Sequence, residues 1–186
     1  MPDVVVLVGS LRKASINRKM AHAIREIAAG SLALEEVGIG DLPLYNEDLE
    51  AAVPEPWQRF RDRVRRADAV LFVTPEYNRS VPGLLKNAID VGSRPYGKSV
   101  FSRKPAAIVS VTGGALGAFG ANHHLRQSLV FLDMPALQQP EMYIGGGPKL
   151  FDEQGRLTND DVRALIEKFV HAFAAWIEKT SVPPSR

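Results

Sequence analysis

Short apolar runs alternate along the chain with longer segments in which apolar residues recur at every third or fourth position. The run at residues 4–8 contains four valines and one leucine, and it predicts a strand buried on both faces of a parallel sheet. The run at residues 32–37 includes two glutamates, so a partly exposed strand is expected there. The other strands are predicted at residues 69–73, 106–111 and, as an edge strand, 136–137 with 142–144.

Helices are predicted in the segments between and after these strands. The clearest is the last one, in which eight apolar residues between positions 162 and 177 form one stripe. Thr158 and Asp161 have the spacing of a capping box at its start. The other helices are predicted at residues 20–28, 54–67, 82–90 and 121–132.

This alternation of strands and helices predicts an α/β fold. The expected architecture is a flavodoxin-like, doubly wound, five-stranded parallel sheet of order 2-1-3-4-5 with helices on both faces. Residues 1–180 are expected to form a single domain, and residues 181–186 a disordered tail. Strands 1, 3 and 4 are neighbours in that order, so the loops after them lie about 4.8 Å apart per step, or about 10 Å over two steps. This distance suits a mononucleotide.

The loop after the first strand contains the groups of an anion-binding site. The start of a helix presents unpaired backbone N–H groups and a partial positive charge. Ser10 and Ser15 add hydroxyls, Asn17 adds an amide and Arg12 adds a full charge. The loop has neither the G-x-G-x-x-G nor the Walker A pattern, so it indicates neither a dinucleotide fingerprint nor a P-loop. The alternative is structural, with Ser15 or Asn17 as a helix cap and Arg12 solvated.

Two further loops follow strands at the same edge of the predicted sheet. Pro75 ends the third strand because proline has no N–H for the ladder, and the polar residues 76–78 follow it. Residues 112–120, after the fourth strand, include four glycines and predict a flexible loop. Ligands of doubly wound sheets bind beyond the carboxyl ends of the strands. The loops therefore indicate one common site.

Composition limits the chemistry that such a site can perform. The 186 residues include no cysteine, which excludes disulfides, cysteine nucleophiles, thiolate metal sites and cysteine-ligated iron–sulfur clusters. A redox reaction would therefore need a bound cofactor. The sequence has no signal-like segment and no apolar run long enough to cross a membrane. We expect a cytoplasmic protein without a membrane partner.

The charged and the histidine-containing segments do not predict a further binding partner. The formal net charge is +2, and the arginines of residues 59–66 are expected to form a solvated helix face with intrahelical ion pairs. No nucleic-acid partner is expected. His123 and His124 point about 100° apart on a helix, and no carboxylate joins them at helical spacing, so no metal site is expected. The sequence has no nucleophile elbow, so it does not indicate a hydrolase.

Several motifs occur in order along the chain. They are GSLR at residues 9–12 with Ser15 and Asn17, LPLYN at 42–46, TPEYN at 74–78, and LKNAID with SRP at 85–95. Together they resemble the NAD(P)H-dependent FMN reductases, and among these the quinone and chromate reductase branch. The likeness extends from residue 4 to residue 176 and includes FDEQG at 151–155.

The resemblance implies FMN as the cofactor, NADPH or NADH as the electron donor and specific residues for binding. For the FMN phosphate it implies Ser10, Arg12, Ser15 and Asn17. Along the isoalloxazine it implies Pro75, Glu76, Tyr77 and Asn78, and bordering the flavin Thr112, Gly113, Gly114 and Gly117. It implies a homodimer or homotetramer, with a dimer contact around Asn87, Asp90, Ser93 and Arg94.

The same resemblance implies the reaction. A hydride would pass through N5 of FMN to quinones, free flavins, azo or nitro compounds or chromate, by a ping-pong mechanism and without a catalytic side chain. Two alternatives remain: a flavodoxin-like electron carrier, and a nucleotide-binding domain without a redox role. The sequence does not choose between NADPH and NADH. The side chains available for a 2′-phosphate are Arg12, Lys13, Arg79 and Arg103.

Overall fold

The computed structural model describes residues 1–181 and contains the predicted five-stranded parallel sheet. The order of the strands is β2-β1-β3-β4-β5, as the alternation of elements predicts. The strands are β1 (Asp3–Val8), β2 (Ala33–Glu36), β3 (Ala69–Thr74), β4 (Ala106–Val111) and β5 (Tyr143–Ile144). The tail predicted at residues 181–186 lies, except for Ser181, outside the described residues.

Helices cover both faces of this sheet. They are α1 (Ile16–Ile27), α2 (Glu55–Arg66), α3 (Gly83–Gly92), α4 (Phe119–Phe131) and α5 (Asp160–Thr180), with 3₁₀ helices at Glu47–Ala52 and Gly147–Leu150. Side chains alternate along β1, so that Val4 and Val6 join the apolar cluster under α1 and α5, whereas Val5 and Leu7 join the cluster under α2, α3 and α4. Among the described helices, none is both long and apolar enough to cross a membrane.

Two local predictions differ from the structure at element ends. The edge strand is shorter than predicted, because Ala136 makes only an isolated bridge to Ala106 before β5. The prediction of a capping box at the start of α5 was wrong. Asn159 is the N-cap, and its side chain accepts a hydrogen bond from the Val162 N–H at 2.9 Å. The Thr158 hydroxyl donates instead to a backbone carbonyl of the preceding 3₁₀ helix. Asparagine caps a helix as well as threonine does.

The arginines of α2 pair with carboxylates in two ways. Arg59 and Arg65 form ion pairs within the helix, as predicted. Arg61 is instead buried, and its guanidinium donates to the Val91 carbonyl at 2.8 Å and to the Glu50 carboxylate at 2.6 Å. The prediction of a solvated position was therefore wrong for this residue, which ties α2 to α3 and to the first 3₁₀ helix.

Asn87, on α3, fixes the loop at residues 42–46. Its Oδ1 accepts a hydrogen bond from the Tyr45 N–H at 2.8 Å, and its Nδ2 lies 3.2 Å from the carbonyl oxygens of both Leu42 and Pro43. The side chain is buried. The dimer contact that the resemblance implied around Asn87 stays a prediction; within the chain, the amide of Asn87 holds the loop in place.

Replacing Asn87 with alanine is expected to lower the free energy of unfolding by about 2 kcal/mol, because backbone groups of the loop lose their buried partner. Urea unfolding followed by circular dichroism measures the change. Lys86→Ala is the matched control: it removes only an exposed ion pair with Asp90, which contributes about 0–1 kcal/mol. Equal losses in both variants would contradict the structural role of Asn87.

Candidate functional site

A cavity of about 140 Å³ lies at the carboxyl ends of β1, β3 and β4, where the three predicted loops meet. This volume is several times the roughly 30 Å³ that one water molecule occupies in the liquid. The lining residues are Ser10, Arg12, Ser15, Ile16, Asn17, Pro75, Glu76, Tyr77, Val111, Thr112 and Gly113. The structure thus brings residues from all three loops together around one cavity.

Hydroxyls and a helix start form the base of the cavity. Ser15 is the N-cap of α1, and its Oγ accepts a hydrogen bond from the Arg18 N–H at 3.2 Å. Ser10 is buried beside it, and its Oγ accepts from the Arg12 N–H at 3.4 Å. Both hydroxyls accept in these contacts, so the O–H of each can donate to a ligand. For Ser15 the capping role and the binding role are therefore compatible.

Asn17 is the most informative side chain of the site. It is only 2% exposed, and its Nδ2 donates to the Val111 carbonyl at 3.2 Å. Its Oδ1 is buried and has no hydrogen-bond partner among the described residues. A buried acceptor without a donor costs free energy, so this atom points to a ligand that carries a donor group. The alternative of Asn17 as a helix cap was wrong, because Ser15 has that role.

The loop after β3 makes a tight turn beside the cavity. The backbone groups of Tyr77 and Ser80 bond each other in both directions, at 3.1 and 2.9 Å. Asn78 and Arg79 occupy the turn with φ values of 50° and 63°, a left-handed conformation that asparagine tolerates better than most residues. Of the four residues predicted in this loop, Pro75, Glu76 and Tyr77 line the cavity, and Asn78 lies in the turn beyond it.

The glycine-rich loop after β4 divides into two parts. Thr112 and Gly113 line the cavity, whereas Gly114 and Gly117 do not. Gly117 has a φ of 59°, and a Cβ there would lie 2.4 Å from the carbonyl carbon of Tyr143. Its own carbonyl accepts a hydrogen bond from the buried Ser110 hydroxyl at 2.7 Å. Gly117 therefore bonds the loop to β4 and packs it closely against β5.

Two apolar residues of the lining, Ile16 and Val111, were not among the predicted site residues. Ile16 is the first residue of α1 and Val111 is the last residue of β4. Their positions beside the polar loops were the only signal in the sequence, because an isoleucine or valine at an element end is equally typical of the core.

The histidine pair takes part in hydrogen bonds on α4. His123 Nε2 lies 2.9 Å from the Tyr143 hydroxyl, which donates to the Glu141 carboxylate at 2.8 Å. Burial, and then the hydrogen bond to Glu141, raises the pKa of Tyr143 to about 12. His124 Nδ1 lies 2.7 Å from the Ser80 hydroxyl. Within residues 1–181, no three His, Asp or Glu side chains are grouped to hold a metal ion.

One of the basic residues proposed for a nucleotide lies elsewhere. Arg103 precedes β4 and therefore lies at the amino end of the strands, where it lines a separate hollow of about 400 Å³ with Val130, Met134 and Pro135. This hollow is larger than the cavity beside Asn17, but it does not contain the loops at the carboxyl ends. Within the chain, Arg103 therefore lies away from that cavity.

Comparison with known proteins agrees with this arrangement of strands and loops. The model of the NADPH-dependent FMN reductase family matches residues 2–149. The chain belongs to this family. It is therefore an oxidoreductase with FMN as cofactor and NAD(P)H as electron donor, which excludes the electron carrier and the nucleotide-binding domain without redox chemistry.

Individual relatives match over almost the whole chain. A quinone reductase from Pseudomonas putida is 66% identical over 177 residues, which cover 95% of each chain. An NAD(P)H-dependent FMN reductase from Pseudomonas aeruginosa is 44% identical over 177 residues, again covering 95% of each chain. The solved structure of FerB, a flavoenzyme NAD(P)H:(acceptor) oxidoreductase from Paracoccus denitrificans, is 41% identical, with a TM-score of 0.93 over 98% of this chain and 100% of FerB.

Gly117→Ala is expected to destabilise the glycine loop, because the new methyl group would meet the Tyr143 backbone in a conformation that alanine rarely adopts. Overpacking of this kind costs about 1–3 kcal/mol. Gly114→Ala is the matched control, since a Cβ there meets nothing within 4 Å. Thermal unfolding of both purified variants measures the difference. A Gly117→Ala protein as stable as Gly114→Ala would show that the close contact with β5 is wrong.

Proposed function

We propose that the protein reduces quinones with electrons from NAD(P)H, through FMN bound in the cavity at the carboxyl ends of β1, β3 and β4. FMN held there would supply hydride transfer at its N5 atom between the nicotinamide and the acceptor. The observation that carries the proposal is the buried Asn17 Oδ1, an acceptor without a partner among the described residues, beside the hydroxyls and charge of an anion-binding loop.

The first loop suits the phosphate end of FMN. Ser10 and Ser15 can each donate an O–H, Arg12 is exposed at the rim with its full charge, and the start of α1 adds partial positive charge. Hydrogen bonds to a charged group contribute about 1.5–3 kcal/mol each. Several such bonds together hold a phosphate without a P-loop lysine.

Asn17 offers a ligand both an acceptor and a donor. The Nδ2 uses one of its two hydrogens for the Val111 carbonyl and can donate the other to a phosphate oxygen, whereas the Oδ1 needs a ligand group that offers a proton. A hydroxyl of the ribityl chain supplies that donor. We therefore place the Oδ1 beside a ribityl hydroxyl, and the second Nδ2 hydrogen remains available for the phosphate contact that the resemblance implied.

The other two loops suit the edges of the flavin ring. Pro75, Glu76 and Tyr77 form one wall of the cavity, and Thr112 and Gly113 form another. Backbone N–H groups that these walls present to the cavity would orient the ring and stabilise negative charge on it, as preorganised donors do. Asn78 and Gly114 extend these walls beyond the cavity, and Gly117 keeps the second wall in place. No side-chain acid or base is needed for hydride transfer.

The acceptor and the order of reaction are part of the same proposal. Quinones are the proposed acceptors, because a relative with 66% identity is named a quinone reductase. The donor and the acceptor would use the bound flavin in turn, so ping-pong kinetics are expected. Free flavins, azo and nitro compounds and chromate complete the panel of acceptors to be assayed. Initial rates that give converging rather than parallel lines would contradict the ping-pong scheme.

We also propose that the chain forms a homodimer or homotetramer in the cytoplasm. The exposed Phe119, Val130 and Phe131 on α4 offer an apolar surface to such an assembly. Light scattering coupled to size-exclusion chromatography measures the mass, and a monomer would contradict the assembly.

Direct reduction by a pyridine nucleotide tests the proposed function. The purified holoprotein is mixed anaerobically with NADPH or with NADH in a stopped-flow instrument, and the absorbance of the flavin is followed. Rapid bleaching by at least one nucleotide without a partner protein is the expected result, and subsequent addition of a quinone should restore the absorbance. A flavin that stays oxidised with both nucleotides would overturn the proposal.

Arg12→Ala is expected to weaken FMN binding about tenfold or more, because the phosphate loses a charged partner. Riboflavin, which has no phosphate, should bind both proteins with similar affinity. Fluorescence titration of the apoprotein measures both constants. Lys13→Ala is the control, since the neighbouring Lys13 does not line the cavity. An Arg12→Ala protein that loses FMN and riboflavin affinity to the same extent would contradict a phosphate contact.

A further inference from the structure

Glu76 makes a contact that no role along a flavin edge requires. Its side chain is only 11% exposed, although it belongs to a surface loop. One carboxylate oxygen, Oε2, accepts a hydrogen bond from the backbone N–H of Ala121 at 3.0 Å. The other, Oε1, lies 3.3 Å from the guanidinium of Arg79. The carboxylate therefore joins the loop after β3 to the first turn of α4.

The first turn of α4 depends on a cap from outside the helix. Its N-cap residue, Ala118, has a left-handed φ of 58° and no side chain that could accept a hydrogen bond. None of the first residues of α4, all of which the structure describes, is acidic. The first N–H groups of a helix need acceptors, and a negative charge near them is stabilising. Glu76 supplies both from a different loop.

Gly120 shows that the chain is adapted to this contact. A Cβ at Gly120 would lie 2.9 Å from Glu76 Oε2 and 3.0 Å from the Arg79 carbonyl oxygen. The first distance would require the carboxylate to shift and the second would press on the Arg79 backbone, so glycine lets the loop and the helix approach this closely without displacing either. The carboxylate and the glycine are two features, 44 positions apart in the sequence, that serve one junction.

We propose that Glu76 is a positioning residue that locks the loop after β3 to the start of α4 and so fixes the gap between the two walls of the flavin site. The loop carries Pro75 and Tyr77 on one wall, and α4 continues from the loop that carries Thr112 and Gly113 on the other. The inference rests on the proposed position of FMN between these walls. Glu76 acts through the two loops, and its carboxylate does not touch the reacting atoms.

Three single variants test the junction. Glu76→Ala is expected to weaken FMN binding about five- to tenfold, the effect expected from the loss of a helix cap. Glu76→Gln should recover most of this loss, because its amide oxygen still accepts from the Ala121 N–H. Gly120→Ala should weaken binding as Glu76→Ala does, by forcing the loop away from the helix. The control is Glu167→Ala, an exposed carboxylate on α5, which should bind FMN as the unmodified protein does.

The readouts are FMN affinity of the apoprotein by fluorescence titration, and kcat and KM for NAD(P)H in FMN-saturated protein. In the double variant Glu76→Ala with Gly120→Ala, the loss should be smaller than the product of the two single losses, because both changes break one contact. Independent losses, or a Glu76→Gln protein as impaired as Glu76→Ala, would overturn the proposal. If Glu76→Ala does not fold, the FMN affinities of Gly120→Ala and Glu76→Gln decide whether the junction positions the flavin site. Failure of the unmodified protein to bind FMN would instead overturn the proposed function.

Discussion

The parallel pairing of three central strands is the constraint on which the site depends. β3 pairs with β1 on one side and with β4 on the other, with Val8 opposite Val73 and Thr74 opposite Ser110. The three strands therefore end at the same level, and the loops that follow them start side by side. The second and third loops lie about 65 and 100 residues beyond the first loop in the sequence, yet all three border one cavity. The backbone hydrogen bonds that bring them together would form in any sequence with these strands.

Hydrogen bonds between the loops then make the cavity a defined site. The Gly9 N–H donates to the Val73 carbonyl at 2.9 Å, which fastens the anion-binding loop to β3. Asn17 donates to Val111, which fastens α1 to β4. Glu76 accepts from Ala121, which fastens the second loop to α4. Each bond joins a different pair of elements, so the walls are positioned before any ligand binds, and less ordering is required on binding.

The polar side chains of the site differ in the hydrogen-bond donors and acceptors that remain free for a ligand. Serine hydroxyls that accept from the backbone keep a proton to donate, whereas the Asn17 amide keeps its acceptor oxygen and one N–H. A ligand with an anion at one end and hydroxyls next to it satisfies both. FMN has this order of groups, and the family to which the chain belongs agrees with it.

The sequence by itself determined the strand order, the three loops and most of the residues that line the cavity, because apolar periodicity and loop composition are local properties. Only the tertiary structure decided the partners of individual polar side chains: the Asn17 bond spans 94 positions, and the Glu76 bond spans 45. The tertiary structure also decided that Gly117 packs closely against β5 and that Arg61 is buried rather than solvated. A residue type states which bonds a side chain can form, but the fold determines which partner comes within 3 Å of it.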